Sequence, residues 1–173
     1  NVCAIFLIDL DNFKHLNDTY GHDKGDSALY HVARALQTVS RDTDKLIRWG
    51  GEEFLLVVPS INSSDIVEFN KRLHRSIASL HQVLEIPEPI SMSIGATRLP
   101  WESCTLDSTV WEHAILIADW ALYQAKESGR NVTIFINASR EMAAWSDWSV
   151  EGLSSAASEG LLLSSTLDND SPG

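Results

Sequence analysis

The sequence is poor in cysteine, with two in 173 residues, and poor in base, with 13 lysines and arginines against 24 acids. Cys3 and Cys104 offer neither a disulfide framework nor a metal-ligand spacing, so reduced thiols in a cytosolic domain are the expectation. A net charge of −11 argues against any general grip on the backbone of a nucleic acid polymer. No apolar run exceeds the length of a strand, so no transmembrane helix is expected, and the first residues do not read as a signal peptide. What remains is 44 % hydrophobic and 21 % charged, a globular composition with enough chain for one domain and its core. An acidic body of this kind binds a nucleoside triphosphate only with divalent metal and a few well-placed bases.

Patterning predicts an α+β domain. Ala4–Leu10 is a nearly continuous apolar run, as in a buried central strand. Asp11–Gly25 is polar, with one helical turn around Phe13–Asn17, and Asp26 is placed to cap a helix over Ser27–Val39. Lys45–Trp49 and Phe54–Val58 read as a hairpin whose second strand Pro59 ends. Asp65–Leu84 carries helical apolar spacing, Ile90–Thr97 alternates as a strand, Thr109–Ser128 is a helix stopped by Gly129, and Val132–Ile136 closes the sheet. The order β-α-β-β-α-β-α-β is close to ferredoxin-like and polymerase-palm-like sheets flanked by helices. Residues 138–173 are acidic and rich in Ser and Leu, an appendage or disordered tail beyond a first domain at 1–137.

The densest chemistry lies in Arg48-Trp49-Gly50-Gly51-Glu52-Glu53-Phe54. Adjacent glycines permit positive φ in a two-residue turn and close approach of the backbone to a ligand. The acids after them are hard oxygen ligands of the kind Mg²⁺ shares with phosphate. Asp9 and Asp11 fall at the end of the first strand, on one face by the period of two. Two acidic pairs on neighbouring elements repel unless a cation neutralises them. Solvated strand ends and a plain hairpin with a polar tip are the bland alternatives.

Three long stretches make the chain recognisable. They are Phe13–Asp26 (Phe-Lys-His-Leu-Asn-Asp-Thr-Tyr-Gly-His-Asp-Lys-Gly-Asp), Gly50–Phe54 and Ala118–Asn131 (Ala-Asp-Trp-Ala-Leu-Tyr-Gln-Ala-Lys-Glu-Ser-Gly-Arg-Asn). In order and spacing, from about residue 4 to residue 137, they resemble the GGDEF domain family of diguanylate cyclases, in its GGEEF variant. These enzymes condense two GTP into cyclic di-GMP.

The resemblance implies the following roles. Asp9, the Leu10 carbonyl, Glu52 and Glu53 would hold two Mg²⁺ or Mn²⁺ per active site, with Asp9, Glu52 and Glu53 as the catalytic carboxylates. Asn17 and Asp26 would read guanine. Lys14, Lys126 and Arg130 would contact the phosphates. Arg41 and Asp44, in Arg41-Asp42-Thr43-Asp44, match the RxxD of a product-inhibition site for cyclic di-GMP, supported by Arg72. Catalysis would need a homodimer, because one domain holds half of the reaction, and an upstream sensor domain would set its geometry. The helix and Asp-x-Leu-Thr segment that precede the first strand in this family are not in the sequence. The expected location is cytoplasmic, with membrane attachment of a parent protein through that missing part as an open question. A catalytically silent receptor for GTP or cyclic di-GMP, and a palm of other base specificity, stand as rival readings.

Overall fold

The computed structural model describes residues 1–99 and 108–169; Cys104 lies outside them. Six strands and six helices follow in the order β1 (Val2–Leu10), α1 (Phe13–Tyr20), α2 (His22–Val39), β2 (Lys45–Arg48), β3 (Glu53–Ile61), α3 (Ile66–Ile77), α4 (Leu80–Val83), β4 (Met92–Leu99), α5 (Ser108–Glu127), β5 (Thr133–Ala138), α6 (Val150–Ser158) and β6 (Leu162–Leu167). They form one mixed sheet, β2-β3-β1-β4-β5-β6, with helices on both faces. Among the described residues only β4 and β5 are parallel, joined by α5 as the crossover.

β1 is the axis of the fold because it is apolar on both faces. Ala4, Phe6, Ile8 and Leu10 pack against α2 and α3 through Leu29, Val32, Leu36, Phe69 and Leu73. Cys3, Ile5 and Leu7 pack with Ala114, Ile117, Ala118, Ala121 and Ala125 of α5. Small residues on α5 bring it close to the sheet, and Gly95 on β4 completes the approach. A Cβ there would lie 2.0 Å from the Ala118 carbonyl and 2.2 Å from the Leu122 nitrogen. The α+β, palm-like sheet expected from the sequence is therefore the observed one.

Several local expectations need correction. Phe13–Tyr20 is a full helix rather than one turn. The next begins at His22 after Gly21, so Asp26 sits one turn inside α2 and caps nothing. Residues 65–84 break into two helices, with Ser79 between α3 and α4 in a non-helical conformation. Pro59 does not end β3. It lies in a bulge, where β1 advances from Val2 to Ala4 while β3 runs from Ile61 to Val58, beyond the last β2–β3 pair, Lys45 opposite Val57.

Of the two readings offered for residues 138–173, appendage or disordered tail, residues 138–169 have the form of an appendage built on the sheet. Ser149 caps α6 by accepting from Gly152 N–H at 3.1 Å, and Leu161 N–H returns to the Ala156 carbonyl at 2.9 Å to close its end. β6 pairs antiparallel with β5 from Leu162 opposite Ala138 to Leu167 opposite Thr133. Trp148 stacks on His113 of α5, ring centroids 3.6 Å apart. The exposed serines of 154–165 hid the buried Leu153, Ala156, Leu162 and Leu167 that pin this segment down.

Candidate active site

The end of β1 and the β2–β3 hairpin meet at one edge of the sheet. Asp9 is paired in register with Glu53 across the antiparallel β1–β3 ladder, and Leu10 N–H donates to the Glu52 carbonyl at 3.2 Å. Positions 9, 52 and 53 are thus brought together. Directly opposed residues of this kind have Cβ atoms ~5 Å apart. Asp9 is buried, 6 % exposed, and Lys126 in the last turn of α5 reaches its Oδ2 with Nζ at 3.0 Å. Burial raises the Asp9 carboxyl above its ordinary value, Lys126 pulls it back, and Glu52 and Asp11 push it up again. Glu53 is raised by burial and then by Asp9, with Lys126 opposing and Asp119 and Glu52 adding to the rise. These are carboxylates short of positive charge.

The hairpin that presents them is not the expected two-residue turn. Arg48 pairs with Phe54, and Glu53 receives the N–H groups of both Trp49 and Gly50, at 2.8 and 3.3 Å. Neither Gly50 nor Gly51 has positive φ. A Cβ on Gly50 would fall 2.7 Å from Glu53 Oε2, so a larger residue there would displace that carboxylate. Arg48, to which the sequence reading gave no role, donates to the carbonyls of Gly50 at 3.3 Å and Gly51 at 2.6 Å and ties the tip down.

Asp11 departs from the Asp9 cluster in function. Its carboxylate accepts from Ser91 and Ser93, each at 2.6 Å, and from Asn131 N–H at 2.9 Å. It staples β1 to β4 and to the turn after α5. That turn holds Gly129, Arg130 and Asn131 at φ 106°, 67° and 48°, three successive left-handed residues of which two carry side chains. Arg130 is exposed at the turn, with its own N–H bonded to the Ala125 carbonyl at 3.1 Å.

Asn17 and Asp26 flank the start of α2. The Asn17 Oδ1 is buried and accepts no hydrogen bond from the described residues. It lies over Gly25, where a Cβ would come within 1.8 Å of it. Asp26 is exposed on the rim of a cleft of about 510 Å³, lined also by Leu29, Tyr30, Leu46, Arg48 and Phe54. Lys14 is exposed in the first turn of α1. Toward the Lys45 end of β2, Arg41, Asp42, Asp44 and Lys45 line a neighbouring open groove of about 500 Å³. Asp44 is buried and accepts from Arg41 N–H at 2.8 Å, while Arg72 lies over the Phe69 ring and donates to the Val39 carbonyl at 3.5 Å.

The donor set fits a hard divalent cation. Asp9, Glu52 and Glu53 supply oxygen alone, and their neighbours leave negative charge in excess. Among the described residues no three His, Cys, Asp or Glu side chains form an ion cage by themselves. Mg²⁺ in nucleotide sites takes one or two carboxylates and completes its shell with phosphate and water.

The family profile for diguanylate cyclases, "GGDEF domain", matches residues 1–132. The chain belongs to the GGDEF family. It is 35 % identical over 137 residues to MucR of Pseudomonas aeruginosa, a bifunctional diguanylate cyclase/cyclic di-GMP phosphodiesterase, covering 79 % of this chain and 19 % of that protein. Its fold matches the active GGEEF domain of a Vibrio cholerae diguanylate cyclase with a TM-score of 0.63 and 30 % identity, covering 78 % of this chain and 83 % of that one. The GGDEF domain of Caulobacter crescentus DgcB, solved with c-di-GMP, aligns with a TM-score of 0.64 and 28 % identity over 76 % of each chain. This GGDEF chain therefore spans about a fifth of MucR. No helix among its described residues is long and apolar enough to cross a membrane.

Proposed function

We propose that residues 1–137 are a diguanylate cyclase domain that condenses two GTP into cyclic di-GMP and two pyrophosphates across a homodimer. The observation that carries this reading is the convergence of Asp9 on β1 with Glu52 and Glu53 on the hairpin, beside Lys126. Membership of the GGDEF family supports it.

Asp9, Glu52 and Glu53, with the Leu10 carbonyl, would hold two Mg²⁺ or Mn²⁺. Divalent cations bound there would neutralise the triphosphate and lower the pKa of the attacking 3′-hydroxyl. The chain's own residues bind and orient. Lys126, which bonds Asp9, would supply positive charge to a phosphate oxygen. Lys14 and Arg130 add positive charge along the triphosphate. The unpartnered Asn17 Oδ1 and the Asp26 carboxylate are acceptors suited to guanine N1–H and N2–H₂, which adenine lacks. Each subunit positions one GTP so that its 3′-hydroxyl meets the α-phosphate of the other, and positioning with electrostatics supplies most of the rate.

Arg41 and Asp44, supported by Arg72, form the proposed inhibitory site for cyclic di-GMP, in a groove separate from the carboxylates. An upstream sensor in a longer parent protein would control the encounter of two domains through effective concentration, and the domain would work in the cytoplasm. Incubation of the protein at high concentration with GTP and Mg²⁺ should yield cyclic di-GMP and pyrophosphate by mass spectrometry. A dimeric form that leaves GTP unconsumed overturns the proposal.

A further inference from the structure

The left-handed turn at 129–131 is held from two sides. Asp11 Oδ2 accepts from the Asn131 N–H at 2.9 Å, and Asn169 Nδ2 donates to the Asn131 carbonyl at 2.6 Å. Asn169 lies just past β6, in the segment beyond the family match, which stops at residue 132. Its approach is fixed by a second set of bonds. The Asp168 carbonyl accepts from Asn70 Nδ2 at 3.2 Å, and Asn70 Oδ1 accepts from Thr133 Oγ1 at 2.6 Å. Thr133 Oγ1 also lies 2.9 Å from His74 Nε2, and Lys71 stands 3.6 Å from the Asp168 carboxylate. Asn70, His74 and Thr133 are buried, so this end of β6 is tied into the core rather than laid on the surface.

We propose that Asn169 is a positioning residue for the nucleotide site, and that α6 and β6 deliver it to the turn that carries Arg130. Two consecutive side-chain-bearing residues in the left-handed region persist only where surrounding bonds over-determine them. Asp11 holds the 130–131 peptide through its N–H, and Asn169 holds the 131–132 peptide through its carbonyl. With the peptides on both sides of Asn131 bonded, the turn resists relaxation toward right-handed backbone, and Arg130 keeps a fixed root beside the last turn of α5. The C-terminal segment thereby completes the site without touching the nucleotide.

The inference rests on the cyclase reading for its kinetic test and on backbone dynamics for its independent one. In Asn169→Ala, the KM for GTP should rise about fivefold with kcat within about twofold, the effect of losing one hydrogen bond that orients a binding group. Exchange of the Asn131 amide should quicken about tenfold while β1 amides keep their protection. Thr166→Ala removes an exposed side chain from β6 that takes no part in these bonds, and should leave both readings near wild type. An unchanged Asn131 amide, an unchanged KM in an active enzyme, or equal effects of Thr166→Ala overturns the proposal. If the wild type forms no cyclic di-GMP, the cyclase reading has failed. The amide measurement, with the affinity for a non-hydrolysable GTP analogue in place of KM, then decides the role of Asn169.

Discussion

Asp9 and Glu53 stand directly opposite one another on β1 and β3, two carboxylates raised above their ordinary values at the closed edge of a hydrophobic sheet. Like charges in that relationship destabilise a sheet. Lys126 offsets part of the cost from α5. A fold that keeps such a pair gains something else from it, and a cation-dependent reaction on a polyphosphate is the gain that this donor chemistry fits.

Glu52→Gln removes one charge at the hairpin while keeping the side chain's shape. Cyclic di-GMP formation should drop by about 100-fold or more, as when a group that stabilises transition-state charge is lost. The circular dichroism spectrum and melting temperature should hold. Retained signalling in cells despite lost turnover would favour the silent-receptor reading instead.

In the proposed cyclase, base choice would rest on Asp26. Because it lies inside α2 and caps nothing, Asp26→Ser can be made without loosening the helix start. The ratio of kcat/KM for GTP over ATP should fall by about 10- to 100-fold, the worth of one bidentate base contact. A ratio that does not move would take Asp26 out of guanine recognition.

Arg41→Ala tests the groove beside the hairpin. Initial rates without product should stay near wild type, and the concentration of cyclic di-GMP that halves the rate should rise about tenfold or more, from loss of a charged contact. Progress curves with and without added product measure this, and inhibition that survives the substitution would place the inhibitory site elsewhere.

His74 makes stability depend on acid. Burial lowers its pKa from 6.5 to about 4, so the unfolded chain takes up this proton at a higher pH than the folded one. Its contribution is complete above about pH 6.5 and is lost as the pH falls toward 4, by about 3 kcal/mol across the window. In His74→Gln, urea denaturation at pH 7 and pH 4.5 should show a loss on acidification smaller by about 2–3 kcal/mol than in wild type. Equal losses in the two proteins would mean that His74 does not titrate in this way.

The sheet was legible because β1 is apolar at every position from Cys3 to Ile8 and the hairpin and α5 carry strong local signals. The convergence of residues 9, 52 and 53 followed from strand order. Less legible were features that depend on partners distant in sequence. Asp11 looked like a second metal ligand by the period of two, yet Ser91, Ser93 and Asn131 claim it. The segment after 138 reads as either an appendage or a disordered tail because its composition is rich in serine, although Ser149 and Gly160 bracket a helix with ordinary capping chemistry. Arg48 lies one residue from the Gly-Gly pair with no spacing signal of its own, and its bonds to Gly50 and Gly51 exist only in the folded tip.

The seat of α5 against Gly95 leaves no slack between helix and strand. Lys126 and Asp119 inherit their height above the sheet from a residue that never nears a nucleotide. Even an alanine there would lift the whole crossover and draw Lys126 away from Asp9. Such a lesion, buried mid-strand, would present at the bench as an enzyme with its chemistry disabled rather than as a protein with a damaged core.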